Sequence, residues 1–218
     1  MVAEVTVDMA GSMNLIAKKC FPKTEIVTDR FHVQKLASEA VQEERIRLRW
    51  EVIELDNTAI QKARENGKTY KAELLDNGDT HKQLLARSRY IVFKSKTKWT
   101  KRQIERAEIL FKRYPSIEKA YNLAQALSHI FENNTNKDVA RLKLAQWYHK
   151  VEKSQFKVIN TISQSIQLHY IPILNYFNNR STNASAESFN AKIKEFRAQF
   201  RGVRDVKFFL YRLTKLFA

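Results

Sequence analysis

Apolar residues in this chain recur mostly three and four positions apart, the spacing that lines one face of an α-helix. Only four Gly and three Pro interrupt them, so helix is expected to dominate. The exceptions stand at the front. Glu4-Val5-Thr6-Val7-Asp8 and Glu25-Ile26-Val27-Thr28-Asp29 are short β-branched runs, each ending in Asp, with a helical stretch from about Ser12 to Cys20 between them. This succession predicts a β-α-β unit. Such a unit implies parallel strands, and site residues gather at their carboxyl ends.

From Phe31 onward the pattern is helical. A long amphipathic segment runs to about Ala63, followed by a polar turn at Asp76-Asn77-Gly78-Asp79. Thr100, with Gln103 three residues later, is a capping-box start, and Pro115-Ser116 ends that helix and opens another. A further helix is expected from about Lys137 to Val151, after the Asn133–Asn136 loop. More follows from Phe156 to Tyr176, with a break near Pro172. The last pair, about Asn183–Arg197 and Arg204–Leu216, is divided by Gly202. Two parallel strands do not make a stable sheet alone. Either strands outside this sequence complete the sheet, or another molecule covers its edge. No internal repeat or low-complexity tract points to a solenoid.

Composition changes the picture in three ways. At 218 residues, 44% of them hydrophobic, the chain suffices for one large domain or two small ones. The lone Cys20 supports neither a disulfide framework nor a thiolate zinc site. The start of the chain lacks a signal-peptide layout and no stretch is apolar enough to span a bilayer, so a soluble, cytoplasmic protein with no membrane partner is expected. The formal charge of +16 then points to a polyanionic partner, nucleic acid before others.

Two carboxylates stand out. Asp8 closes the first strand, and Glu187 lies in the first turn of a late helix within Asn183-Ala184-Ser185-Ala186-Glu187-Ser188-Phe189-Asn190. On that helix Glu187, Asn190, Ala191 and Lys194 share one stripe while Phe189, Ile193 and Phe196 share another, as suits a helix packed on a sheet. Carboxylate oxygens are what magnesium selects, which makes both residues candidate ligands of a hard divalent cation. The plain structural alternative makes Asp8 a cap of the following helix and Glu187 a favourable charge at its own helix N-terminus.

The order of features carries a resemblance. Val7-Asp8-Met9, Phe21-Pro22, Asp29-Arg30-Phe31-His32, a long helical stretch, then Asn183-x-x-x-Glu187-x-x-Asn190-x-Lys192-Ile193-Lys194 closely resembles bacterial insertion-sequence transposases of the DDE type. The ISL-three group, itself similar to Mutator-like transposases, is the nearest match, and the resemblance covers essentially the whole chain. It implies an α-dominated α/β fold: a partial RNase H-like core of β-α-β plus C-terminal helices, interrupted by an all-helical insertion. The corresponding division is 1–36 for the partial core, 37–176 for the insertion and 177–218 for the returning core helices. It also implies that Asp8 is the second metal-binding Asp and Glu187 the catalytic Glu, with Asp29 and His32 a paired element beside the active site. His32 would orient a phosphate or the carboxylates, with a buried His bonded to a backbone carbonyl as the alternative; Phe31 beside it is expected in the core. The family's first Asp has no counterpart here. The chain therefore reads as the C-terminal portion of such an enzyme, expected to be inactive alone.

The resembling enzymes cleave DNA strands and transfer them at insertion-sequence ends, using two Mg2+ or Mn2+ ions about 3.5–4 Å apart. The implied partner is double-stranded DNA bearing terminal inverted repeats, with a homodimer as a further possibility. Basic residues offer two phosphate tracks. One runs through Lys94-Ser95-Lys96-Thr97-Lys98-Trp99-Thr100-Lys101-Arg102, with Lys96, Lys98 and Arg102 as contacts; the other follows Lys192, Lys194, Arg197, Arg201, Arg204 and Lys207. Trp99 could stack on an unpaired base, whereas Trp50 and Trp147 are expected in the core. Two other readings stay open: a catalytically dead DNA-binding remnant, and a basic helical scaffold.

Overall fold

The computed structural model describes residues 2–200, 202 and 204–217. It falls into two compact units, Met1–Arg180 and Ser181–Ala218.

The first unit opens with the expected β-α-β succession: β1 (Glu4–Val7), α1 (Gly11–Cys20) and β2 (Glu25–Thr28). The strands pair in parallel, Val5 opposite Ile26 and Val7 opposite Thr28. The N–H groups of Glu25 and Asp29 donate to the carbonyls of Ala3 and Val7, both at 3.0 Å. Alternation then turns the Ile26 carbonyl to the outer edge of β2. There the Asn175 side chain donates to it at 3.0 Å, and the Asn175 oxygen accepts from Lys137 Nζ at 2.9 Å. Asn178 and Asn179 donate to Glu25 and Glu4 at 2.9 and 2.8 Å. Asn175 thus satisfies a carbonyl of the edge, while Asn178 and Asn179 tie the same helix to carboxylates of β2 and β1. Besides the strand pair, the described residues hold an isolated antiparallel bridge, Leu74 to Thr80.

The body of this unit is helical: α2 (Arg30–Glu65), α3 (His81–Arg87), α4 (Lys101–Arg113), α5 (Pro115–Asn133), α6 (Lys137–Ser154), α7 (Lys157–Leu168) and α8 (Tyr170–Asn179). The capping box at Thr100 and Gln103 forms as expected, and a second one at Thr80 and Gln83 starts α3. Asn136 caps α6 by accepting from Asp138 and Val139. At the centre, α5 packs on α2, α4 and α6, burying Ile117, Tyr121, Leu127 and Phe131 completely. Trp147 is 2% exposed and its indole N–H donates to the Leu123 carbonyl at 2.9 Å, as a buried Trp requires.

Several expectations are corrected. Trp50 is 60% exposed: the fully buried positions of α2 run from Val33 to Arg45, and the helix continues beyond them with less of the protein beside it. Phe31 is 49% exposed and lies under the Arg30 guanidinium. The helical break falls at His169, and Pro172 sits in the first turn of α8, where its missing N–H costs no bond. Neither α3 nor the short 3-10 helix Lys96–Lys98 was anticipated. The turn at 76–79 forms, with Gly78 at φ +76. Its Asp79, read as simply polar, is a buried carboxylate gripped by Arg87 and by Arg106.

The border expected after residue 36 runs through α2, and that after 176 runs through α8. Backbone breaks mark neither.

The second unit is a pair of helices, α9 (Ala184–Gln199) and α10 (Val206–Phe217), with Gly202 at φ +95 between them. Phe196 is buried among aromatic rings of this unit, 4.5 Å from Phe200 and 5.5 Å from Phe209 between centroids.

Candidate functional site

Asp8 and Asp29 follow the last paired residues of β1 and β2, so parallel register brings them to one edge. The tie is direct, because Asp29 N–H donates to the Val7 carbonyl. Their environments differ. Asp8 is half-buried and one carboxylate oxygen accepts from Ala10 N–H at 2.9 Å, which bends the chain into α1. Asp29 is 1% exposed, and its Oδ1 accepts from Phe31 N–H at 2.9 Å as the N-cap of α2. Asp29 therefore has a structural task whatever else it does. His32 stands in the first turn of α2, half-buried, its N–H bonded to the Asp29 carbonyl at 3.2 Å. Asp29 and His32 are the cap and first turn of one helix, and the Asp29 side chain satisfies one of that helix's free N–H groups.

Glu187 belongs to the second unit. It lies in the first turn of α9, exposed, with its N–H bonded to the Asn183 carbonyl at 2.8 Å. Asn190, Ala191 and Lys194 on the same stripe are exposed too. On the other stripe Phe196 is buried, Ile193 half-buried and Phe189 43% exposed. Ring contacts to Phe209 and Phe217 make α10 a packing partner of this face.

As donors, these carboxylates suit a hard divalent cation. Among the described residues no group of three or more His, Cys, Asp or Glu is assembled to hold a metal ion. Asp8 and Asp29 stand at one edge of the strand pair, and each spends an oxygen on a backbone N–H.

The basic residues of both runs are exposed among the described residues. Lys96 and Lys98 lie on the 3-10 helix, Arg102 in the first turn of α4, and Lys192, Lys194 and Arg197 on α9, with Arg204 between the last two helices. Arg197 and Arg204 line one cleft of about 580 Å3 with Phe200 and Phe209. Arg201 lies outside the described residues.

Trp99 is half-buried. Its indole N–H donates to the Ile91 carbonyl at 3.0 Å, and its ring lies 5.5 Å from Tyr121 and 6.1 Å from Phe111. The Tyr121 hydroxyl donates to the Lys94 carbonyl at 2.7 Å, and burial pushes its pKa up to about 12. Beside these rings opens a cleft of about 490 Å3 lined by Lys96, Trp99, Ile104, Glu108, Phe111 and Lys112. Reading the chain for basic clusters missed Phe111, Glu108 and Lys112. The signal was present, because Ile104, Ala107, Glu108 and Phe111 fall at i, i+3, i+4 and i+7 of a helix whose start the capping box fixes. A different cavity, about 370 Å3, is lined by Glu51, Asp56 and Glu73 with Tyr70, His81 and Tyr114. Its acidic rim suits no nucleic-acid phosphate.

The fold is thus a helix-rich basic protein with paired aspartates at the end of a small parallel sheet. That class fits DNA-processing enzymes. A family model described as Transposase, DDE_Tnp_ISL3, matches residues 1–213. The chain belongs to this transposase family. Neither a curated protein nor a solved structure matches it. Among the described residues no helix is long and apolar enough to cross a membrane.

Proposed function

We propose that this chain forms the part of a DDE transposase that carries its second Asp and its Glu, cleaving and joining DNA at the inverted repeats of an insertion sequence. Family membership over residues 1–213 supports the reading. The single structural observation that supports it best is the pairing of Asp8 and Asp29 at the carboxyl edge of parallel strands, where α/β proteins hold their chemistry. In this reading residues 1–36 belong to an RNase H-like core, 37–176 form the insertion, and 177–218 are the C-terminal core helices that carry Glu187.

Divalent ions, Mg2+ or Mn2+, would activate the attacking oxygen and stabilise the leaving one. Asp8 and Glu187 are the residues that would hold them, through carboxylate oxygens. Asp29 holds the start of α2 in place and so positions His32, whose imidazole orients either a phosphate or the carboxylates. Lys192, Lys194, Arg197, Arg201 and Arg204 neutralise backbone charge of the bound DNA, as do Lys96, Lys98 and Arg102. The third acid that the chemistry needs comes from outside the residues present here, so the chain alone binds DNA without cutting it.

The test is Mg2+-dependent nicking of labelled terminal-repeat DNA by a transposase that includes this chain together with its first-strand Asp. Asp8→Asn and Glu187→Gln should each abolish nicking while leaving DNA affinity within about twofold. Retained nicking in either variant overturns the assignment. A second reading is a DNA-binding remnant without catalysis, for which the charge of +16 alone suffices. That reading predicts salt-sensitive DNA binding and no nicking even when the first-strand Asp is supplied.

A further inference from the structure

The cleft beside Trp99 combines features that a simple phosphate track does not need. Its floor is aromatic: Trp99 and Phe111 line it, and Tyr121 backs both rings. The Trp99 indole is locked in orientation by its bond to the Ile91 carbonyl, so the ring is a fixed wall. Lys96 Nζ lies 5.7 and 5.9 Å from the centroids of the Phe111 and Tyr121 rings, a cation held against the aromatic cluster. Lys112 offers a second cation, while Glu108 and Glu118 add carboxylates to the lining. Those carboxylates repel a bare phosphate, yet they accept hydrogen bonds from the amino groups of bases. Lys94, Lys98, Lys101 and Arg102, which flank Lys96 and Trp99 in the sequence, are exposed as well.

We infer that this cleft takes up one unpaired nucleotide of the bound DNA, stacking its base beside Trp99 and Phe111 while Lys96 and Lys112 swing to the flanking phosphates. The inference rests on the DNA-binding reading above. It adds a base-binding site to what would otherwise be sequence-blind contact with the backbone. An aromatic floor is indifferent to which base stacks, because every base has a π-face. The site therefore selects unpaired structure, such as a frayed end or an extruded base, over intact duplex.

The experiment compares binding of this chain to two short duplexes identical except that one carries a single extrahelical 2-aminopurine. Its fluorescence reports stacking, and affinity is read by anisotropy. The extrahelical duplex should bind roughly tenfold more tightly, with quenched fluorescence, as stacking of one base implies. Ile104→Trp, which fills the cleft from an exposed position and leaves Trp99 untouched, should remove that preference and the quenching while affinity for the paired duplex stays the same. Trp99→Phe serves as a second variant, with folding checked by circular dichroism. It keeps a ring but loses the bond to Ile91, and should weaken the preference.

Equal affinity for the two duplexes, with DNA binding intact, overturns the cleft and leaves the DNA reading standing. A preference that survives Ile104→Trp also overturns it, by placing the base elsewhere. Absence of binding to either duplex at low salt overturns the cleft together with the DNA reading.

Discussion

Residue for residue α10 is more apolar than α5, yet the two helices bury their side chains in opposite ways. Seven residues of α5 are buried, including Tyr121, Leu127 and Phe131. None of α10 is, and Val206, Phe208, Leu210 and Tyr211 lie 47–67% exposed. Amphipathic spacing marks a face that is able to be buried. Whether it is buried depends on neighbours, and α5 has three packed helices around it. The same contrast runs inside α2, whose first half supplies core residues and whose second half leaves Trp50 and Leu55 to solvent.

A matched pair of truncations, followed by urea denaturation, separates a covered face from an exposed one most strongly. Trp147→Ala should cost about 3–5 kcal/mol through the cavity it leaves and the loss of its bond to Leu123. Phe208→Ala should cost less than about 0.5 kcal/mol, as exposed positions do. A large loss at Phe208 would mean that the α10 face is covered in solution.

Next in size is Asp79→Asn. The carboxylate is 3% exposed but Arg87 is 54% exposed, so the loss should reach about 2–3 kcal/mol, below the 3–5 kcal/mol of a wholly buried pair. Combining it with Arg87→Met should recover part of that loss, and strict additivity of the two changes would remove the ion pair from the account.

A smaller effect separates the two aspartates of the sheet edge. Asp29→Ala should cost about 1 kcal/mol because it removes the cap of α2. Asp8→Ala and Glu187→Ala should each stay within about 0.5 kcal/mol, since both side chains are at least partly in solvent. Loss of nicking with full stability is the pattern expected for Asp8 and Glu187. Equal destabilisation by Asp8→Ala would make its bond to Ala10 structural, and the metal role would lose its main support.

The smallest effect is a pH dependence. The hydrogen bonds from Arg47 hold the Glu44 carboxyl below its ordinary value of 4.5. A lowered folded-state pKa contributes stability that is complete above the ordinary value and is lost as pH falls through the folded one. Stability should therefore decline more steeply with acidification in the native chain than in Glu44→Gln, as thermal melts between neutral and acid pH would read. Parallel curves would show that Glu44 gains nothing from Arg47.

Local chemistry was legible in the chain. The two strands, the capping box at Thr100, the boundary at Pro115 and the loop before Lys137 all appear where β-branching, hydroxyl caps and proline place them. So did the adjacency of Asp8 and Asp29, because parallel pairing dictates it. The place of His32 in the first turn of α2 follows from the Asp29 cap, a bond that the sequence permitted but did not require. Nothing local marks Asn175 as the residue that bonds the edge of β2, because its partner Ile26 lies 149 residues away in the chain.

By itself, then, the sequence determined what is set within a few residues: helix starts and stops, strand direction, the charge of +16 and the motif order that identifies a transposase. Tertiary structure decided which of many equivalent apolar faces are covered, which carboxylate in a polar turn is buried between two arginines, and which tryptophan is core. Trp147 and Trp50 sit in similar helical patterns, yet one is 2% and the other 60% exposed. The reason is physical: hydrogen-bond caps and β-branching act on the chain that carries them, whereas burial is a property of atoms brought from far along the chain.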